Sequence, residues 1–97
     1  MSDRAERRAA VKAVLAALRE RAPGHSVELR IPPYAAVQLV EGPRHTRGTP
    51  GAVVEMDDAT LHALADGSLA WAEAVASGRV RASGERSDLG WLFPLSH

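Results

Sequence analysis

The sequence predicts an α+β fold in one domain that spans residues 1–97. Apolar residues recur at helical spacing near the start of the chain and again between residues 60 and 78. Short segments that alternate polar and apolar residues with period two predict four to five strands. Helices are expected at both ends and between the third and fourth strands. This order differs from the regular strand–helix alternation of a doubly wound sheet.

The first helix is predicted to begin at Asp3, with Glu6 three residues later completing a capping box, and to end at Pro23. Its apolar face comprises Val11, Val14, Leu15 and Leu18. The basic residues Arg8, Lys12 and Arg19 border this face. That layout is compatible with a helix on an anionic membrane surface, but we favour a helix docked on a sheet, because four apolar residues among alanines bind membranes weakly.

Four segments predict the strands. Val27–Ile31 alternates cleanly and is followed by two prolines. Residues 35–40 are apolar except for Gln38, so we expect this strand to lie centrally in the sheet. Residues 53–56 form the third predicted strand, and residues 79–83 the fourth.

Two short helices separate the last two strands. The first is capped by Asp57 or Asp58, buries Leu61 and Leu64, and ends at Gly67. In the second, Ala74 and Val75 are expected on the inner face, and Gly78 ends the helix. Its first turn follows Ala70, or begins earlier if Ser68 is the cap. The apolar tail, residues 87–95, is expected to pack back as a short helix or turn.

Residues 60–85 resemble the C-terminal half of the sterol carrier protein family, and the chain looks most like the short bacterial orthologues. The family pattern is a leucine-rich helix, Gly-x-Leu, a short helix, Gly-x-apolar-x-apolar-x-Gly and an acidic residue. Its positions are occupied by Gly67, Leu69, Ala74, Val75, Gly78, Val80, Ala82, Gly84 and Glu85. The resemblance implies helices on one face of a mostly antiparallel sheet, with a cavity for a sterol, fatty acid or acyl-CoA between the layers.

That cavity would be lined by apolar side chains from the strands, helices and tail. The expected lining residues are Leu39, Leu61, Leu64, Trp71, Val75 and Trp91. For the two tryptophans, packing in the core is the alternative. An empty pocket of about 300–1,000 Å³ would be costly in so small a core, at about 24 cal/mol for each Å³ left void. A filled groove, or no ligand, is therefore easier to accommodate.

The loop at residues 41–51 is long for so small a domain, and its polar groups could hold an anionic head group. The candidate head-group residues are Arg44, His45, Thr46, Arg47 and Thr49. The alternative is a solvated loop in which Arg44 and Arg47 pair with nearby glutamates.

The sequence predicts neither catalysis nor a cofactor. The histidines have no metal-binding spacing, and no nucleophile elbow or phosphate loop is present. Asp57 and Asp58 are adjacent carboxylates, yet both precede a helix, where capping is the better interpretation. An enzyme in which Arg44 and His45 act on a small anion remains an alternative.

The composition of the chain restricts the classes of partner that we expect. A net charge of +0 argues against nucleic-acid binding, and no apolar run is long enough to span a membrane. The absence of cysteine fits the cytoplasm. Two functions follow: a carrier of a lipid or acyl ligand, or a protein-interaction module, homodimeric or with another partner, that keeps the fold without a cavity.

Overall fold

The computed structural model describes residues 3–42 and 51–95. The α+β prediction is confirmed. The helices are α1 (Asp3–Arg21), α2 (Asp58–Asp66) and α3 (Trp71–Ala76). The strands are β1 (Val27–Ile31), β2 (Ala35–Leu39), β3 (Ala52–Glu55) and β4 (Arg81–Ser83), and a 3₁₀ turn, Gly90–Leu92, follows. Asp3 already lies within α1, so it belongs to the first helical turn rather than preceding it.

The four strands form one mixed sheet in the order β2-β1-β3-β4. β1 is antiparallel to β2 and parallel to β3, and β3 is antiparallel to β4. The prediction that the second strand is central is therefore wrong, because β2 lies at an edge. Its apolar character comes largely from small residues: Ala36 is exposed, and Ala35 and Val37 are only partly buried.

α1 and α2 pack on one face of this sheet. Alternate side chains of β1, namely Val27, Leu29 and Ile31, are buried against the helices, whereas Arg30 points to the opposite, solvent-facing side. The helices contribute the other half of the core through Val11, Leu15, Leu18, Leu61 and Leu64, each 4% exposed or less. Apolar residues recur about every 3.6 residues in the helices and every second residue in the strands, and both sets pack together in one apolar layer.

Local capping chemistry sets the boundaries of α2. Asp57 precedes the helix and its carboxylate accepts a hydrogen bond of 2.8 Å from the Thr60 N–H. Gly67 ends the helix in the left-handed region, at φ 87°, as predicted.

α3 begins after Ala70, which has an extended backbone and no side-chain hydrogen bond to the helix. Ser68 is not the cap, since it lies two residues before the cap position and its hydroxyl donates to the Ala63 carbonyl at 3.4 Å. Only Ala74 of this helix is buried, and Val75 is 42% exposed, so its expected inward orientation is wrong. Successive residues of an α-helix lie about 100° apart around its axis, so the turn that buries Ala74 directs Val75 toward solvent.

The fourth strand is shorter than predicted. Val80 is buried just before β4, and all three residues of β4 itself are exposed. β4 lies at the second edge of the sheet, and within the described part of the chain it pairs only with β3.

Candidate ligand-binding surface

The chain's last described part, residues 89–95, closes one end of the core; we call it the C-terminal segment. Leu89 and Leu92 are fully buried in the main apolar cluster. The 3₁₀ turn places these two leucines on the same side, as residues three apart lie on one face of such a turn. The predicted return of the tail onto the core is confirmed.

A small set of polar contacts ties the C-terminal segment to two helix ends. Arg21 Nη1, at the end of α1, donates hydrogen bonds to the Leu92 carbonyl at 3.0 Å and the Pro94 carbonyl at 3.4 Å. The Leu95 N–H donates to the Ala65 carbonyl in α2 at 2.9 Å. The segment therefore spans from one helix to the other across the open end of the core.

An aromatic stack joins the segment to α3. The rings of Trp71 and Phe93 stack with centroids 6.1 Å apart and an interplanar angle of 12°. Trp71 also lies against Gly90, where a Cβ would come within 2.9 Å of the indole. Glycine at this position thus permits the close approach of the segment to α3.

Beside this stack, two large apolar side chains face solvent. Trp91 is 62% exposed, and Val75 is 42% exposed. Val75 follows Trp71 by four residues, so both lie on one face of α3. We call Trp71, Val75, Trp91 and Phe93 the aromatic surface.

The expected lining residues divide into two groups. Trp71, Val75 and Trp91 belong to the aromatic surface. Leu39, Leu61 and Leu64 are 0% exposed, so their side chains touch no space large enough for a water molecule. A ligand could reach them only if the layers separated. Phe93 was not among the predicted residues, although its place in the apolar tail was a usable signal.

The predicted head-group residues Arg44, His45, Thr46, Arg47 and Thr49 lie outside the described residues. The neighbouring cleft on the solvent-facing side of the sheet is polar. There His25 Nδ1 and Gln38 Oε1 are 2.6 Å apart, and Arg30 donates to Glu28 at 3.0 Å. These polar groups bind one another, and Ala52 and Val53 also line the cleft.

The two adjacent aspartates have structural partners. The pKa of Asp57 is lowered because its carboxylate accepts hydrogen bonds from Thr60 at the start of α2. The pKa of Asp58 is lowered by hydrogen bonds of 2.8 and 2.9 Å from Arg7, whose guanidinium also lies over the Tyr34 ring. These contacts support the capping interpretation for Asp57 and a bridge between α1 and α2 for Asp58.

Within residues 3–42 and 51–95, no group of three or more acidic or histidine side chains could hold a metal ion.

Comparison with known proteins gives one family. No curated protein matches the chain at a significant level. In the described part of the chain, no helix combines the length and apolar character needed to cross a bilayer. A family model described as bacterial SCP ortholog matches residues 3–95. Since this match covers nearly the whole chain, the protein belongs to the bacterial branch of the sterol carrier family.

Proposed function

We propose that the protein binds a hydrophobic ligand of the sterol, fatty-acid or acyl-CoA class and catalyses no reaction on it. The observation that carries this proposal is the aromatic surface, where Trp91 of the C-terminal segment and Val75 of α3 are exposed. Clustered apolar groups on a protein surface mark binding sites. Membership of a lipid-carrier-type family supports the same ligand class.

The ligand enters by replacing protein side chains. Leu61 and Leu64 are already in contact with other atoms on all sides, so an apolar molecule needs space that another group leaves. Leu89 and Leu92 can leave together, because both belong to the C-terminal segment. An apolar chain in their place restores the dispersion contacts that they made. This route avoids the cost of keeping an empty cavity in the free protein.

A disulfide latch tests this route. A Cβ at Gly67 would lie 3.5 Å from Pro94 Cβ, within the range of about 3.5–4.5 Å found in disulfides. Because the chain has no cysteine, Gly67→Cys with Pro94→Cys introduces only this pair. Binding of a dansyl-labelled fatty acid is measured by fluorescence with the latch reduced and oxidised. Gly67→Ala with Pro94→Cys, given the same oxidant, is the matched control, because it also places a side chain at the left-handed position 67 but cannot form the disulfide.

We expect the reduced protein to bind the labelled fatty acid and the oxidised protein to bind it at least about tenfold more weakly, a change of about 1.4 kcal/mol. Equal binding in both states would reject entry beneath the C-terminal segment. If the unmodified protein neither binds the probe nor carries lipid in native mass spectrometry, the hydrophobic-ligand function itself is wrong. The closed core would then favour a protein-interaction module.

We also propose that the protein acts in the cytoplasm. The support is compositional, since a chain without cysteine needs no oxidising compartment.

A further inference from the structure

Among residues 3–42 and 51–95, no strand pairs with the outer edge of β2, which lies beside a row of basic side chains on α1. We propose that this edge binds an acidic protein segment in extended conformation, which adds to the sheet as a fifth strand. The site is separate from the aromatic surface and does not depend on the proposed ligand.

The backbone of β2 offers hydrogen bonds to such a strand. Met56 N–H donates to the Arg30 carbonyl, so Arg30 directs its backbone polar groups toward β3. The backbone N–H and C=O groups of successive residues are directed alternately to the two neighbouring strands. Those of Leu29 and Ile31 are therefore directed toward β2. Their register partners on β2 are Val37 and Ala35. Ala36 and Gln38 are therefore left with their N–H and C=O groups directed to the free edge.

β2 lacks the features that normally protect an edge strand. Its sequence, Ala35-Ala36-Val37-Gln38-Leu39, contains no charge and no proline. Edge strands of monomeric proteins are usually blunted by charged residues, prolines or short length. β4, at the other edge, follows that rule, because it has three residues and begins with Arg81.

α1 runs alongside β2. Near its start, the Arg7 guanidinium lies 5.5 Å from the Tyr34 ring centroid, just before β2. Beyond its end, the Ala22 carbonyl accepts a hydrogen bond from the Val40 N–H, just after β2. The helix and the edge strand therefore run in the same direction.

The basic flank of α1 lies on the side of the helix away from α2; it consists of Arg8, Lys12 and Arg19. Arg7 faces α2, because it pairs with Asp58. Successive residues lie about 100° apart around the helix axis, so the buried residues Val11, Leu15 and Leu18 lie between Arg7 and the flank. The flank therefore extends beyond the outer edge of β2. All three side chains are exposed, and none forms an ion pair with a described carboxylate.

The charge of the flank distinguishes an acidic partner from a second copy of the chain. Antiparallel pairing of two β2 strands about a twofold axis would bring the same flank of each copy together on one face. Arg8, Lys12 and Arg19 would then meet their own counterparts, and like charges repel. An acidic strand places carboxylates at the same positions and is attracted.

The test uses a fluorescein-labelled peptide of alternating valine and glutamate, followed by fluorescence anisotropy. We expect it to bind, and the matching valine–lysine peptide to bind at least about tenfold more weakly. Arg8→Glu with Lys12→Glu should weaken binding of the acidic peptide by a similar factor. The single reversal Arg8→Glu should also weaken binding, whereas Arg81→Glu makes the same change in net charge on β4, at the opposite edge of the sheet, and should leave binding unaltered.

A backbone variant separates strand addition from simple charge attraction. Ala36→Pro removes an outward N–H but none of the bonds to β1, and its side chain is exposed, so we expect normal folding and lost peptide binding. In the unaltered protein, the peptide should slow amide hydrogen exchange at Ala36 and Gln38.

Several results would overturn the proposal. These are no binding of the acidic peptide, binding that survives either the flank reversal or Ala36→Pro, or a homodimer that Ala36→Pro dissociates. The protein could also adsorb to anionic vesicles. If the flank reversal removes this adsorption and Ala36→Pro leaves it intact, the flank binds a membrane surface instead.

Discussion

Asp58 is the residue through which the first helix is fixed to the second. Its side chain is 12% exposed and accepts both hydrogen bonds of a bidentate pair from Arg7, whose own side chain is 54% exposed. Asp58→Asn should lower the urea midpoint of unfolding, because one charged acceptor is lost at a nearly buried position. The exposed guanidinium can be rehydrated, which limits the loss.

The effect of Asp58→Asn should depend on pH. The folded-state pKa of Asp58 is lowered from 3.8, so the pair's stabilisation is complete above that value and is lost as the pH falls through the folded-state pKa. The difference between the two midpoints should thus be full at neutral pH and shrink below about pH 4. Asp66→Asn is the control: hydrogen bonds from Ser68 also lower the pKa of Asp66, but the site is exposed, so the change in midpoint should be smaller. A difference that is constant with pH would contradict the charge-based role.

At the scale of elements, α3 is a short helix without a side-chain cap. Ala70 has the extended backbone of a cap position, and Glu73 occupies the third helical position. Ala70→Ser supplies an oxygen for a first-turn N–H and should stabilise the protein by about 1 kcal/mol. For a domain of this size that is a rise of about 4–8 °C in melting temperature.

Ser68→Ala tests the same helix start from the other side. The Ser68 hydroxyl makes only a long contact of 3.4 Å to the Ala63 carbonyl, so its loss should hardly change the melting temperature. A marked loss at Ser68 together with no gain at Ala70 would place the helix start two residues earlier.

Element boundaries were predictable where local chemistry decides them. Gly67 supplies the left-handed residue that ends α2, and β1 has the predicted bounds because its alternation is clean. The place of each strand in the sheet was not predictable in this way. β2 reads as apolar, yet its position at the edge follows from contacts between distant parts of the chain.

The candidate site was predictable only in part for the same reason. Trp71 and Trp91 were expected to line a pocket, and they lie at the aromatic surface. Leu61 and Leu64 share their apolar character with the tryptophans but are enclosed by α1, the sheet and the tail. Sequence periodicity shows that a leucine points inward, but not whether the space there is empty or filled.

For the molecule as a whole, charge is balanced overall and uneven locally. The net charge is +0, yet α1 carries basic side chains along one flank, without carboxylate partners among the described residues. Long-range attraction of an acidic partner therefore depends on this flank rather than on net charge. It should weaken as salt shortens the Debye length, to about 8 Å at physiological ionic strength.

The molecule should also open unevenly, beginning at its C-terminal segment. β1 pairs with strands on both sides, so the Leu29 amide can exchange its hydrogen only when the sheet separates. The Leu95 amide is held by one bond to Ala65, in a segment with few other polar ties. Native-state hydrogen exchange in low urea should give Leu95 a smaller opening free energy than Leu29, with a weaker dependence on urea, since less surface is exposed.

The disulfide latch between positions 67 and 94 allows amide exchange to be compared in the same protein with the C-terminal segment free and fixed. Oxidation should raise the protection of the Leu95 amide toward that of Leu29, because the segment can then open only with the rest of the molecule. The Leu92 amide, bonded within the segment to the Leu89 carbonyl, should follow Leu95. If Leu95 and Leu29 already share one opening free energy in the unlatched protein, the segment belongs to the global unfolding unit. A ligand would then have no separate route into the core, and the aromatic surface would have to bind its ligand from outside.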